Sequence, residues 1–564
     1  MKRKGQYMLK LILAFLLALA LPAAPALAGG GVVSSADPRA SAAGQEILRK
    51  GGSATDAALA MMVALTVVEP QSSGIGGGGF LIHHDGKLGL LDTIDGRETA
   101  PASARSDRFL GPDGKPLSFG QAVPGGLSVG VPGNLRLMEL AHKKWGKLGW
   151  AELFQPAIRL AEEGFEVNQT LYDRLAGMEK LWQDFPEARA IYWRDGKPAP
   201  VGTVIRNPAL ALFLKRLATD GPDAFYSGQN AGELLETLAK APRNPAEMTA
   251  QDLASYQAKE RPAICSHYRI YVVCGMGPPS SGAITVLQIL GMLERFPMEK
   301  LGKDNPRSWH LIGEAMRLAY ADRDKYLGDR DFVDVPLPGL IDPNYLLQRS
   351  RLISRDRARQ DYRPGTPPGA AARTAAPSSE VPATTHFVAV DGNGDIVSMT
   401  STIEGPFGSQ LIANGYFLNN ELTDFSFAPE KNGAPVANRV QGGKRPLSSM
   451  SPTIVYDASG KAVLALGSAG GKRIIMHVLK TLVGVLDFGL PAQEAIALPN
   501  IYFDDEGLLL EQGPFAAEMV PALQRLGQKA RASNLTSKVN AAQLQDGRWT
   551  GAADPRSPGL ALSE

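Results

Sequence analysis

The chain has 564 residues, 44% hydrophobic and 21% charged, with 59 basic side chains against 57 acidic ones. That near balance excludes a protein held to nucleic acid by bulk charge, and there is no acidic tail. The length supports a large core, divided into two to four domains by ordinary domain size or kept as one large layered domain.

The first residues, "MKRKGQYMLKLILAFLLALALPAAPALAGG", have a basic start, an apolar stretch and then Ala26-Leu27-Ala28. This is the layout of a secretory leader occupying residues 1–28, with cleavage after Ala28 and a periplasmic or secreted product. The competing reading is an uncleaved anchor, but Pro22 and Pro25 interrupt the apolar run, and no later segment reads as a membrane span. Next, Ala40 to Lys50 is predicted as an amphipathic helix ending at Gly51-Gly52. Ala57 to Val68, capped by Thr55, is predicted as a helix apolar on nearly every side and therefore buried between layers. "SSGIGGGGFLIHHDGKLGLLDTIDGRE" then gives a glycine run and two strands around Asp85-Gly86. No Lys-Ser/Thr follows the glycines, so they serve close backbone packing rather than phosphate binding.

Residues 130 to 330 carry mainly helical patterns, with a Pro-Ser loop feeding a buried helix at Ala283 to Phe296. Within this region lie the chain's two cysteines, Cys265 and Cys274. They either pair across a hairpin, which an exporting address permits, or remain two buried thiols. No His and Cys cluster at metal-ligand spacing. From 355 to 383 the chain is rich in Pro, Ala and Gly and reads as an exposed linker.

After that linker, "TTHFVAVDGNGDIVSMTSTIEGPFGS" contains two period-2 runs around Asp391-Gly392-Asn393-Gly394-Asp395, a β-hairpin. Centring the turn on Asn393 sets Thr384 opposite Thr402, with Glu404 just beyond on the same side of the sheet and opposite Pro382. Two hydroxyls and a carboxylate thus meet where linker becomes strand. A threonine hydroxyl needs a nearby base to act as a nucleophile, and an N-terminal threonine carries one in its α-amine. Cleavage before Thr384 would supply that base and let the freed linker end swing away. A serine hydrolase built on Ser449 or Ser468 lacks a nucleophile-elbow motif.

Several further motifs occur in order along the chain: "GGSATDAALA", "GIGGGGF", "DGRETAP", "PPSSG", "TTHFVAVD", "FLNNELTDFS", "KRPLSSMSPTIV" and "GSAGGKRI". With these the sequence resembles the γ-glutamyltransferase family, also called γ-glutamyl transpeptidases or glutathione hydrolases, among the N-terminal-nucleophile hydrolases. The resemblance implies an α+β fold in a four-layer αββα sandwich. It implies a proenzyme cut between Ala383 and Thr384 into subunits 29–383 and 384–564 that stay together as a heterodimer within one domain, and it implies no cofactor or metal. By the same resemblance Thr384 is the nucleophile and Thr402 holds its amine. Gly470 and Gly471 form an oxyanion hole, Arg97, Ser448 and Ser449 hold the substrate α-carboxylate, and Glu421 and Asp424 hold the α-ammonium. The substrate class is γ-glutamyl compounds such as glutathione.

Two departures stand out. Glu404 occupies a position where better-known members carry Asn, and the segment from Ser426 to Pro446 is shorter than the lid of well-known bacterial members and lacks its tyrosine. They keep open an acylase of the same mechanism acting on glutaryl-type cephalosporin amides. A binding protein that kept the fold without maturing is a further alternative.

Overall fold

The computed structural model describes residues 30–375 and 383–564. The leader and residues 376–382, including Pro382, lie outside that range. Two antiparallel sheets form the centre. One has seven strands, in the order Leu560–Ser563, Val32–Ser35, Thr385–Val390, Ile396–Thr402, Gly78–His84, Leu91–Gly96 and Lys259–Arg261. The other has six, in the order Arg548–Ala553, Asn540–Gln545, Ala462–Gly467, Thr453–Tyr456, Tyr271–Gly275 and Ile264–Tyr268.

Strand alternation sorts the core into layers. Phe387, Ala389, Val397 and Met399 face the helix Ala54–Val68 in one cluster. Their neighbours Val388, Val390 and Ile396 join Ile454, Leu464 and Leu466 of the second sheet, together with the helices Gly282–Leu293 and Ile474–Leu486, in another. The result is helix, sheet, sheet, helix, the expected αββα sandwich. Because both faces are covered, Thr385–Val390 is buried at every position. His386 points into this interior, bonded to Thr400 Oγ1 at 2.8 Å, and burial lowers its pKa to about 3. It is a neutral core histidine. A Cβ at Gly467 would lie 2.3 Å from its ring, so the facing strand needs glycine there.

The first two helices run Pro38–Arg49 and Ala54–Val68, the second wholly buried as its composition demands. Its cap is Ser53 rather than Thr55. Ser53 and Asp56 exchange side-chain and backbone bonds in a capping box, which satisfies two free N–H groups at once. Cys265 and Cys274 lie opposite each other in the hairpin Ile264–Tyr268/Tyr271–Gly275 and are disulfide-bonded, which decides between the two readings of the sequence.

Over 355–375 the chain is largely exposed, as read from its composition. This stretch is irregular but anchored: Ala358 N donates to Leu526 O at 2.7 Å and Gly365 N to Asp322 Oδ1 at 2.7 Å, while Tyr362 donates to Glu314. Helix Pro306–Tyr326 buries Glu314 and Asp322, and these carboxylates take their donors from the segment. Among the described residues no helix is long and apolar enough to cross a membrane.

Candidate active site

The hairpin has the register read from the sequence: Thr385 pairs with Ser401 and Phe387 with Met399. One step outward, Thr384 Oγ1 and Thr402 Oγ1 are 3.0 Å apart. The Thr402 hydroxyl also accepts from Glu404 N at 2.8 Å, which fixes its rotamer against its neighbour. Thr384 is buried, donates its backbone N–H to Ser72 O at 3.2 Å, and has φ of 88°. A β-branched residue at positive φ is strained by on the order of 1–3 kcal/mol. The strained residue is the one that follows the Ala383–Thr384 bond.

The glycine run explains how strands come this close. A Cβ on Gly76 would meet Phe417 O at 2.1 Å, one on Gly77 would meet Thr402 O at 1.9 Å, and one on Gly78 would meet Glu98 Oε2 at 2.3 Å. Only bare backbone fits between Thr402, the Asn419-Asn420 turn and the end of Leu91–Gly96.

Facing Thr384 is a small pocket lined by Arg97, Thr402, Glu404, Glu421, Asp424, Ser448, Ser449 and Gly471 among others, with a volume of about 10 Å³. Arg97 is buried and ion-paired to Glu421 and Asp424, the latter at 2.5 Å. It also donates to Leu447 O at 2.8 Å and Pro446 O at 3.2 Å. Burial opposes its charge, but Glu421 and Asp424 more than offset this and raise its pKa above the ordinary value. Glu421 is raised well above the usual carboxyl range, first by burial and then by Glu98 and Glu404, against the pull of Arg97.

Ser448 and Ser449 are held by "PPSSG". Ser448 N donates to Pro279 O at 3.0 Å, and Ser281 N and Oγ both donate to Ser448 O at 2.7 Å. Arg323 donates to Ser449 Oγ at 2.8 Å and to Ser281 Oγ at 2.9 Å. Gly470 and Gly471, at φ of 133° and 59°, make the turn into the helix Ile474–Leu486. Behind them His477 bonds Ser468 Oγ at 3.0 Å, and burial with neighbouring Lys480 lowers its pKa to about 3. This Ser468–His477 contact is closed inside the protein, which leaves Ser468 without access to a substrate.

Of the residues named from the sequence, Arg97, Thr384, Thr402, Glu404, Glu421, Asp424, Ser448, Ser449 and Gly471 line this pocket, whereas Gly470 and Ala383 line a neighbouring cavity. Sequence reasoning missed Glu98, Asn420 and Arg323. Glu98 is wholly buried against Gly78, neither of its carboxyl oxygens has a hydrogen-bond partner, and burial raises its pKa to about 7. Asn420 donates to Glu404 and to Thr423 Oγ1, the second at 3.0 Å. Both sit inside quoted motifs, "DGRETAP" and "FLNNELTDFS". Arg323 lies on a helix with no such marker.

Residues 40–563 match the family profile described as Gamma-glutamyltranspeptidase. The glutathione hydrolase proenzyme of Bacillus subtilis (strain 168) is 37% identical over 549 residues, covering 94% of this chain and 91% of that protein. The acylase ACY 1 proenzyme of Pseudomonas sp. (strain SE83) is 34% identical over 548 residues, covering 96% and 94%. Among solved structures, the cephalosporin acylase from Bacillus halodurans superposes with a TM-score of 0.83 at 26% identity, covering 95% of this chain and 96% of that one.

Proposed function

The chain belongs to the γ-glutamyltranspeptidase family, and we propose that it is an exported, self-cleaving enzyme that breaks γ-glutamyl amides of the glutathione type. The observation that carries this reading is the hydroxyl pair Thr384–Thr402, 3.0 Å apart, beside a buried arginine paired with two carboxylates. In maturation, Thr384 Oγ attacks the Ala383 carbonyl, the peptide C–N bond gives way to an ester as the nitrogen takes up a proton, and water then hydrolyses the ester to release subunits 29–383 and 384–564. The freed α-amine is then the base that threonine lacked. The pocket beside Thr384 has a present volume of about 10 Å³, so an acyl group enters only if its walls move apart.

In turnover, the amine takes the Thr384 hydroxyl proton while Oγ attacks the γ-carbonyl, and Thr402 holds the amine in line. The N–H groups of Gly470 and Gly471 at the head of a helix receive the oxyanion charge. Arg97 presents a planar fork to the α-carboxylate, assisted by the Ser448 and Ser449 hydroxyls. Glu421 and Asp424, with Glu404 beside them, receive the α-ammonium. The leader at residues 1–28 directs the protein to the periplasm or outside the cell.

The full-length likeness to acylases supports a second reading with glutaryl amides as substrates. A glutaryl group brings no cation, whereas this pocket sets Glu98, Glu404, Glu421 and Asp424 around a single guanidinium. Burial holds Glu98 and Glu421 toward their neutral forms, and an entering ammonium would favour their ionisation, which supports an acyl group carrying an α-ammonium. The deciding experiment is intact mass after denaturation, followed by turnover of γ-glutamyl and glutaryl p-nitroanilides. Two fragments with preference for the γ-glutamyl donor support the proposal. An uncut, inactive chain, or glutaryl preference, overturns it.

A further inference from the structure

The turn that carries the two glycine N–H groups is tied down by side chains that the reaction itself does not use. Gly470 has φ of 133° and ψ of 31°, a conformation that glycine alone adopts readily, and Gly471 follows at φ of 59°. Among the described residues neither glycine donates its N–H to a backbone carbonyl. Both donors are therefore left for a ligand. Two successive glycines also make the most freely rotating backbone a chain can have, so the turn keeps its shape only if its surroundings hold it.

Contacts on both flanks do so. Upstream, Ser468 Oγ and His477 Nδ1 are 3.0 Å apart, which bonds the residue after the strand Ala462–Gly467 to the helix Ile474–Leu486 across the turn. The same imidazole lies against Gly470, where an added Cβ would be 3.1 Å from His477 Cε1. Downstream, the Tyr320 hydroxyl, on the helix Pro306–Tyr326, donates to Lys472 O at 2.6 Å. Ser468, His477 and Tyr320 are all buried, and burial keeps the imidazole neutral. The upstream tie is thus a hydrogen bond between uncharged groups shielded from water.

We infer that Ser468 and His477 are positioning residues whose bond holds the Gly470–Gly471 turn with its N–H groups aimed at the carbonyl oxygen that becomes the oxyanion. This rests on the γ-glutamyl reading above, with these glycines as its oxyanion hole. When Thr384 Oγ bonds to the γ-carbonyl carbon, the carbonyl π pair moves onto oxygen, and the charge exists only in the tetrahedral state. A loose turn would have to be ordered at that moment, which raises the barrier and leaves substrate binding alone. The tie therefore acts on kcat and not on KM.

The test uses the processed enzyme, γ-glutamyl-p-nitroanilide as donor, and as inhibitor the glutamate analogue whose γ-carboxyl is replaced by a boronic acid. Thr384 Oγ adds to the trigonal boron while its proton passes to the α-amine, and the anionic tetrahedral adduct places a boron-bound oxygen where the oxyanion forms. Rates are counted per cleaved chain, read by intact mass. Ser468→Ala removes the bond with little volume, and should lower kcat about tenfold and weaken boronate inhibition by a similar factor, with KM within about twofold. His477→Leu does the same, and the double variant loses no more than either single one, because both remove one bond. His477→Asn, which returns an amide to the place of Nδ1, stays within about threefold of wild type. Unchanged kcat and boronate inhibition in Ser468→Ala, additive losses in the double variant, or a raised KM with boronate inhibition intact overturns the positioning role and leaves the γ-glutamyl reading standing. Failure of the wild-type enzyme to turn over the anilide removes that reading and this inference with it.

Discussion

Gly77→Ala is a substitution remote from the nucleophile in sequence that should nevertheless stop maturation. A methyl at Gly77 would lie 1.9 Å from Thr402 O and 2.8 Å from Ile403 Cγ2. Neither neighbour is the free end of a flexible side chain, so the strand Ile396–Thr402 must retreat by about 1 Å before the contact is tolerable. The Thr384–Thr402 hydroxyl contact, now 3.0 Å, would then lie outside hydrogen-bond range. A displacement of that size at reacting groups costs on the order of 100-fold in rate. The assay is the half-time of conversion from one chain to two, read by intact mass at intervals after purification. Gly232→Ala is the control. That glycine is exposed within the helix Gly228–Ala239 with open space around it, so alanine should add about 0.5–1 kcal/mol of stability and leave the half-time alone. A folded Gly77→Ala protein that cleaves at the wild-type rate would refute the argument that this glycine sets the distance between the two hydroxyls.

Thr402→Val keeps the shape and removes the hydroxyl. We expect self-cleavage and turnover both to slow by about 10²-fold with KM little changed, and a normal kcat would end the positioning role of Thr402. Burial raises the Glu98 carboxyl from its ordinary 4.5 to about 7, so between those pH values the folded chain holds a proton that the unfolded chain has lost. Its contribution is therefore full below about 4.5 and lost as pH rises through about 7, a change on the order of 3 kcal/mol that Glu98→Gln should abolish. Urea midpoints at pH 4.5 and 7.5 measure it, and an unaltered pH slope in the variant would contradict the assignment. The bridge between Cys265 and Cys274 spans a sequence separation of 9, for which chain entropy gives about 2–3 kcal/mol. The double serine variant should melt correspondingly lower, and an unchanged melting temperature would show that the hairpin Ile264–Tyr268/Tyr271–Gly275 holds without it.

Several parts of this architecture were legible in the sequence because they rest on local rules. The Asp391 to Asp395 turn fixes the hairpin register, and a period of two then dictates that Thr384 and Thr402 share a face. The helix Ala54–Val68, apolar on every side, could only lie between layers. Its cap was misread by two residues because Thr55 and Ser53 are both competent. The choice fell to Asp56, whose carboxylate completes the box with Ser53.

Contacts between distant segments were not legible by such rules. Composition marked 355–375 as an exposed linker, but not that buried Glu314 and Asp322 draw donors from it. Arg323 reaches Ser449 from a helix 126 residues away, and nothing in its local pattern marks it. Glu98 shows the difference most clearly. It has no role in the sequence reading, but Gly78 lets its carboxyl pack into the interior, where desolvation raises its pKa to about 7. The sequence by itself determined the nucleophile hairpin, the buried helix and the order of the motifs, since turn chemistry and periodicity act over a few residues. Only the tertiary structure decided which carboxylates surround Arg97 and that burial raises the pKa of Glu98 and Glu421, because burial and charge depend on segments brought together from across the chain.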